Sequence, residues 1–178
     1  MDSKALFKRV KDAQSGDSAA FGEIYGSVQN EAWRFALSYL RHKEDAEDAV
    51  QNTALIAFRS IKNLKKAESF RSWFFKIEYN ECMKILQQRK NTPLALDDVP
   101  ETADDSYEKL YLETGLKTLM DELDETDRRI IELSVFAGLK SHEIAEVTGL
   151  RPGSVRSRLS RALHSMKERL IKDGVINE

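Results

Sequence analysis

The sequence predicts an all-α chain: two small helical domains joined by a flexible acidic linker. Three observations lead there. Apolar residues recur at intervals of three and four along almost the whole 178-residue chain, the period of an amphipathic helix. Only 3 prolines and 8 glycines are present, too few for the many turns of an all-β protein. The helical pattern is interrupted at residues 91–112, which hold two of the three prolines and six acidic residues against one lysine. The length suits one ordinary domain or two small ones. The interruption divides it into 1–90, 91–112 and 113–178.

Residues 1–90 read as a run of helices. Phe21, Ile24, Tyr25 and Val28 share one stripe, and Trp33, Leu37 and Leu40 continue another after a break around Asn30. Ala46, Val50, Ala54 and Ala57 mark the next helix, with Ile56 and Phe58 adding apolar surface. Lys62–Ser69 is polar enough to form a loop. Phe70, Phe74, Ile77 and Cys82 begin a further helix that ends near Lys90. Asn91–Ser106 reads as a flexible or extended linker whose acidity repels DNA phosphates and allows it to compete with DNA for basic faces. In residues 113–178, Leu116, Leu119, Met120 and Leu123 mark one helix. Ile130, Ile131, Leu133, Ser134 and Val135 mark another, ended by Gly138.

The most specific signal follows, SHEIAEVTGLRPGSVRSRLSRALHSMKERL. Ser141 is placed to cap a short helix through Val147. Ile144 faces inward, and small Ala145 allows close packing. Gly149 stands where a sharp turn needs positive φ, and Pro152 suits the first turn of the second helix. Val155, Leu159, Leu163, Met166 and Leu170 form its expected buried stripe. The opposite face carries Ser154, Arg156, Ser157, Arg158, Ser160, Arg161 and His164, donors suited to phosphates and base edges in a major groove. Arg151 is a poor cap with a charge opposing the helix dipole; a phosphate contact would account for it.

The net charge of −2 conceals this pattern, because residues 151–172 carry +6 and residues 113–150 carry −5. Salt screens one region from the other over about 8 Å, so the local field governs binding. The lone Cys82 excludes an internal disulfide and, among apolar neighbours, reads as a buried thiol in a reducing cytosol. No apolar run suggests a signal peptide or a membrane span, so a cytoplasmic protein with no membrane insertion is expected. His42, His142 and His164 lie far apart and read as surface polar residues, not metal ligands. No phosphate loop or rigid acid pair appears. The expectation is a protein that is not an enzyme and needs no cofactor or metal.

Four segments in this order resemble the extracytoplasmic-function group of sigma factors, in the sigma-70 family. AQSGDSAAFGEIY (13–25) and RHKEDAEDAVQNTALIAF (41–58) resemble sigma region 2. SFRSWFFKIEYNECMKILQQRK (69–90) resembles its −10-reading helix. LDETDRRIIELSVFAGLKSHEIAEVTGLRPGSVRSRLSRAL (123–163) resembles region 4, the −35 reader. The resemblance implies a region 2 bundle and a region 4 helix-turn-helix. It also implies binding to core RNA polymerase through its β′ coiled coil and β subunit, recognition and melting of promoter DNA, and an anti-sigma partner. On this reading Asp45, Asp48, Gln51 and Asn52 contact polymerase, Asn52 standing where most members have Glu. Lys62, Asn63, Lys65, Lys66, Tyr79, Asn80, Gln87 and Arg89 contact −10 DNA. Phe70, Trp73 and Phe75 are further aromatic candidates, Trp73 leaning toward the core. Arg151, Ser154, Arg156, Ser157, Arg158, Arg161 and His164 contact −35 DNA. Glu78 replaces a usual small apolar residue, Lys84 a usual Asp, and Gln87 and Gln88 frequent arginines. Two other functions fit the residues less well: a polymerase-independent helix-turn-helix regulator, and an α-helical adaptor that binds only protein.

Overall fold

The structure, a computed structural model, describes residues 2–91 and 116–175. Residues 92–112 of the expected linker lie outside the described residues, and with them most of the segment read as flexible. Among the described residues the regular elements are helices. The helix α1 (Ser3–Gln14) starts at Asp2, whose carboxylate accepts from the Ala5 amide at 2.7 Å. Asp17 caps α2 (Ser18–Gly26), accepting from Ala19 and Ala20 at 2.9 and 3.1 Å. Each cap satisfies amides that a helix start leaves unpaired. The expected break near Asn30 falls slightly earlier, since α3 spans Gln29–Leu40 and has Val28 at its start. It ends on Arg41, a non-glycine residue at φ 53. Helix α4 (Lys43–Ser60) and α5 (Phe70–Asn91) complete the first unit.

The core of this unit is aromatic. Phe35, Phe70, Phe74 and Phe75 are all fully buried. Phe75 meets Phe35 and Phe74 edge-on, with ring centres 6.1 and 5.7 Å apart, the arrangement aromatic quadrupoles favour. This corrects the reading of Phe70 and Phe75 as DNA-facing aromatics: their α5 positions point into the bundle. It also rotates the expected α3 stripe, because Ala32, Phe35 and Ala36 are buried whereas Trp33 and Leu37 are only partly so.

The Lys62–Ser69 loop is more ordered than its polarity suggests. With Ile61 before it, it forms two short 3-10 turns, Ile61–Asn63 and Ala67–Ser69, and Ile61, Leu64 and Ala67 are buried. The Gln14 side-chain amide donates to the Ile61 and Leu64 carbonyls at 3.2 and 2.6 Å. A residue some fifty positions away therefore holds the loop's shape, which local pattern cannot reveal.

The second unit comprises α6 (Leu116–Glu122), α7 (Glu125–Val135), α8 (Ser141–Thr148) and α9 (Pro152–Lys172). Arg128 ties α6 to α7 by donating to the Met120 carbonyl at 2.8 Å. Leu119, Met120, Ile131, Ala162 and Met166 form its small private core. The rest of its buried surface joins the first unit: Ile130, Leu133, Phe136, Leu139, Ile144 and Val155 belong to the same apolar cluster as Phe74. Polar contacts reinforce the junction. Arg71 donates to the Ala137 carbonyl at 2.8 Å, Ser72 donates to Glu146 at 2.6 Å, and Arg41 pairs with Asp121. The Arg129 guanidinium lies 5.2 Å from the centre of the Tyr79 ring. Two units on a tether, as read from sequence, do not foretell this shared core.

Among the described residues three carboxyl side chains are buried in the fold: Glu81, which pairs with Lys84, and Glu78 and Glu132. Glu78 is fully buried, facing the equally enclosed Thr53 hydroxyl. Burial pushes it up to about 8, with Thr53 opposing and the Glu81 charge adding. Glu132, 2% exposed, is likewise pushed up to about 8 by burial, against the charges of Arg128, Arg41 and Arg129. Cys82 is a free, buried thiol, as its neighbours suggested. Burial and then the charges of Glu78, Glu132 and Glu81 push it well up, so it holds its proton.

Candidate nucleic-acid interface

Helix α4 presents the first candidate surface. His42 is not a free surface residue: its Nδ1 accepts from the Asp45 amide at 3.3 Å and caps the helix. Glu44 and Asp45 follow in the first turn, where the dipole favours them. Asp45 is drawn into the fold by an ion pair with Arg89, which also donates to the Leu40 carbonyl at 3.1 Å. One expected polymerase contact and one expected −10 contact are thus paired with each other. Asp48, Gln51 and Asn52 stay exposed at helical spacing, and Leu55 and Phe58, 53% and 50% exposed, continue that side. Leu55 was not singled out in the sequence. Its position three and four residues after Asn52 and Gln51 was the available signal.

The second surface runs along α5. Trp73, Lys76, Asn80, Lys84 and Gln87 recur at steps of three and four, and all but partly buried Trp73 are exposed. Over fourteen residues the stripe extends about 21 Å. At its start lies a groove of about 410 Å³ lined by Asn63, Lys65, Lys66, Ser72, Trp73 and Lys76, with Glu146 of α8 at its edge. Lys62 is exposed on the same loop. Further along, Asn80, Lys84 and Gln87 line a second groove of about 550 Å³ against Ile56 of α4. The structure therefore brings Asn63, Lys65 and Lys66 together and places Asn80 and Gln87 on the continuation of the same helix face. Tyr79 lines that second groove as well, partly buried, with its ring packed on Tyr39 and beneath Arg129. Lys76 was missed, although its four-residue spacing from Asn80 was visible.

The third surface is the helix-turn-helix. Ser141 is not its cap: α8 starts from Lys140, whose amide donates to the Glu143 carboxylate at 2.8 Å. That Glu reaches back over one turn and satisfies the helix start in place of a serine hydroxyl. Gly149 has φ +76, the left-handed conformation the turn requires. Pro152 opens α9, and Arg151 precedes it with no side-chain capping bond. Val155, Ala162 and Met166 are buried, whereas Leu163 is 43% exposed. The buried line steps from 155 to 159, 162 and 166; residue 163 lies about 100° round from 162 and leaves the core face. Ser154, Arg156, Ser157, Arg161 and His164 are exposed, as DNA contacts need to be. Arg158 differs. It bonds Asp127 at 2.7 Å and Asp124 at 3.2 Å, bracing α9 against the start of α7. The Asp127 amide, followed by Arg158, holds the Asp124 carboxyl below the usual carboxylate range. His164 lies 3.3 Å from Glu168.

Among the described residues no group of His, Cys, Asp or Glu is placed to hold a metal, and no helix is long and apolar enough to cross a membrane. Comparison with known proteins assigns the two units. The family described as Sigma-70 region 2 matches residues 24–92, and Sigma-70, region 4 matches residues 114–166. The RNA polymerase sigma factor SigV of Bacillus subtilis is 35% identical over 141 residues, covering 79% of this chain and 85% of that one. The ECF RNA polymerase sigma-E factor of Haemophilus influenzae is 27% identical and covers 94% of each chain. In fold the chain is similar to CnrH, solved in complex with the cytosolic domain of CnrY. That match has a TM-score of 0.73 and 24% identity, covering 95% of this chain and 99% of the other. With both regions matched in order on one all-α framework, the chain belongs to the sigma-70 family, in its extracytoplasmic-function group.

Proposed function

We propose that this sigma factor divides promoter recognition among three surfaces. Asp48, Gln51 and Asn52 on α4, extended by Leu55, dock on the β′ coiled coil of core polymerase. The Lys62–Lys66 loop and the α5 stripe take the −10 strand. There the lysines meet phosphates, Trp73 offers a ring edge for a base, and Asn80 and Gln87 offer amides. The exposed face of α9, with Arg151, Ser154, Arg156, Ser157, Arg161 and His164, enters the −35 major groove. Arg158 first positions that helix, because two carboxylates of its own unit already hold it. Asp45 and Arg89 act in the same indirect way on the first unit.

The observation that carries this reading is the α8–Gly149–α9 geometry with an acid-free exposed basic face at the start of its second helix. Each surface is small. Selectivity then comes from holding two of them at fixed spacing on the polymerase, which makes the second contact intramolecular. The chain contributes binding energy to strand opening and no bond-making chemistry, and it works in the cytoplasm beside the polymerase. RpoE of Bartonella quintana was solved with the anti-sigma factor NepR. An inhibitory protein covering these same surfaces fits this chain too.

Run-off transcription with purified core polymerase on a genomic promoter library tests the reading. Start sites that appear only when the chain is added are the expected result. An unchanged set of start sites would refute it.

A further inference from the structure

We infer that Glu146 is an internal competitor for single-stranded DNA, a carboxylate of region 4 that stands at the edge of the strand-binding groove of region 2 and holds its Ser72 while the two units are packed together. The inference rests on the assignment of the Lys62–Lys66 groove to the −10 strand. Its own basis is geometric. Ser72 is 3% exposed and stands among the groove-lining residues; its hydroxyl donates to Glu146 Oε2 at 2.6 Å. Glu146 reaches the groove from α8, seventy-four residues away in sequence. Lys65, Lys66 and Lys76 line the same groove.

A carboxylate oxygen and a phosphate oxygen recruit the same donors, and both gain from charge-assisted bonds. Glu146 therefore holds a position that a DNA phosphate would take, and its negative charge repels an incoming strand. The surrounding contacts keep it there. Arg71, one residue before Ser72, bonds the Ala137 carbonyl; Arg129 of α7 covers Tyr79 two turns further along α5. Separation of the units withdraws Glu146 and frees the Ser72 hydroxyl beside lysines that are already exposed. Any partner that draws α8 away from α5 thus turns the groove on, and a partner that clamps them together keeps it off.

The test uses the full chain and a fluorescein-labelled twelve-nucleotide thymidine strand, followed by anisotropy at fixed salt. A parallel preparation carries Lys8→Cys and Ser165→Cys for energy transfer between the units; native Cys82 is buried and stays unlabelled. Glu146→Gln keeps the side chain's shape and removes its charge. The expected result is about tenfold tighter strand binding, the equivalent of one charge-assisted bond, together with reduced energy transfer. Adding Lys65→Ala and Lys66→Ala to Glu146→Gln should cancel the gain. If Glu146→Gln binds like the parent while the lysine changes still weaken binding, the competitor is refuted and the groove assignment stands. If the lysine changes have no effect in either background, the groove assignment fails and the competitor with it.

Discussion

Replacement of Glu78 by Gln should stabilise this protein at neutral pH and leave it almost unchanged in mild acid. Glu78 is fully buried, and burial pushes it up to about 8 from an ordinary 4.5, against the Thr53 hydroxyl. The folded state therefore holds a proton that the unfolded chain releases. Stability is complete below about pH 4.5 and falls as pH rises to about 8, by about 1.4 kcal/mol per unit for one such group. Between pH 4.5 and 7.5 that amounts to at most about 4 kcal/mol, a large share of the usual stability of a domain. Glu132 carries the same elevation at the junction of the units. The parent should thus lose about 3 kcal/mol per pH unit from the two groups, and Glu78→Gln about half that. Urea unfolding at pH 5.5, 6.5 and 7.5 measures both slopes. The two tryptophans, Trp33 and Trp73, both lie in the first unit and report on it directly. At pH 7.5 the variant's midpoint should rise by up to about 2 M urea for a typical slope of about 2 kcal/mol/M. Identical pH slopes for parent and variant would show that Glu78 does not carry a buried proton, and the reasoning would fail.

Other outcomes follow from the same geometry. Gly149→Ala should cost about 1–2 kcal/mol in denaturant unfolding, the penalty of left-handed backbone for a Cβ-bearing residue, because space around that position is open and only φ +76 opposes it. Arg158→Ala should lower the melting temperature of the second unit, whereas exposed Arg156→Ala should not. On −35 duplex, Arg156→Ala and Arg161→Ala should each reduce the salt-dependence slope by about one, as expected for a lost phosphate contact. Asp48→Arg should abolish association with core polymerase in gel filtration while leaving duplex binding by the isolated chain unchanged.

The all-α class was legible because helical periodicity is a property of each segment alone. The helix-turn-helix was legible for the same reason: Gly149 and Pro152 mark its turn locally, and its exposed residues alternate with buried ones at helical spacing. What escaped depended on distant partners. Nothing near Gln14 announces that it fixes a loop at residues 61–64. Arg89 and Arg158 look like free basic residues until Asp45, Asp124 and Asp127 are brought beside them. Phe70 and Phe75 offered aromatic rings that sequence could assign to DNA or to the core, and the α3–α5 packing decided for the core. Leu163 was placed in the stripe because steps of three and four both preserve a helical face, and Ala162, small and inconspicuous, took that position. The shared core of the two units was the largest omission. Ile130, Leu133 and Ile144 have ordinary amphipathic spacing, which shows that they are buried but not against what.

The central claim is that two small DNA-binding surfaces become selective only when polymerase fixes their spacing. Its most direct test is a titration of one labelled promoter fragment with the chain alone, with core polymerase alone, and with both. The account predicts specific, heparin-resistant binding only for the combination. Specific binding of equal strength by the chain alone, or no gain on adding it to the core enzyme, would contradict the account.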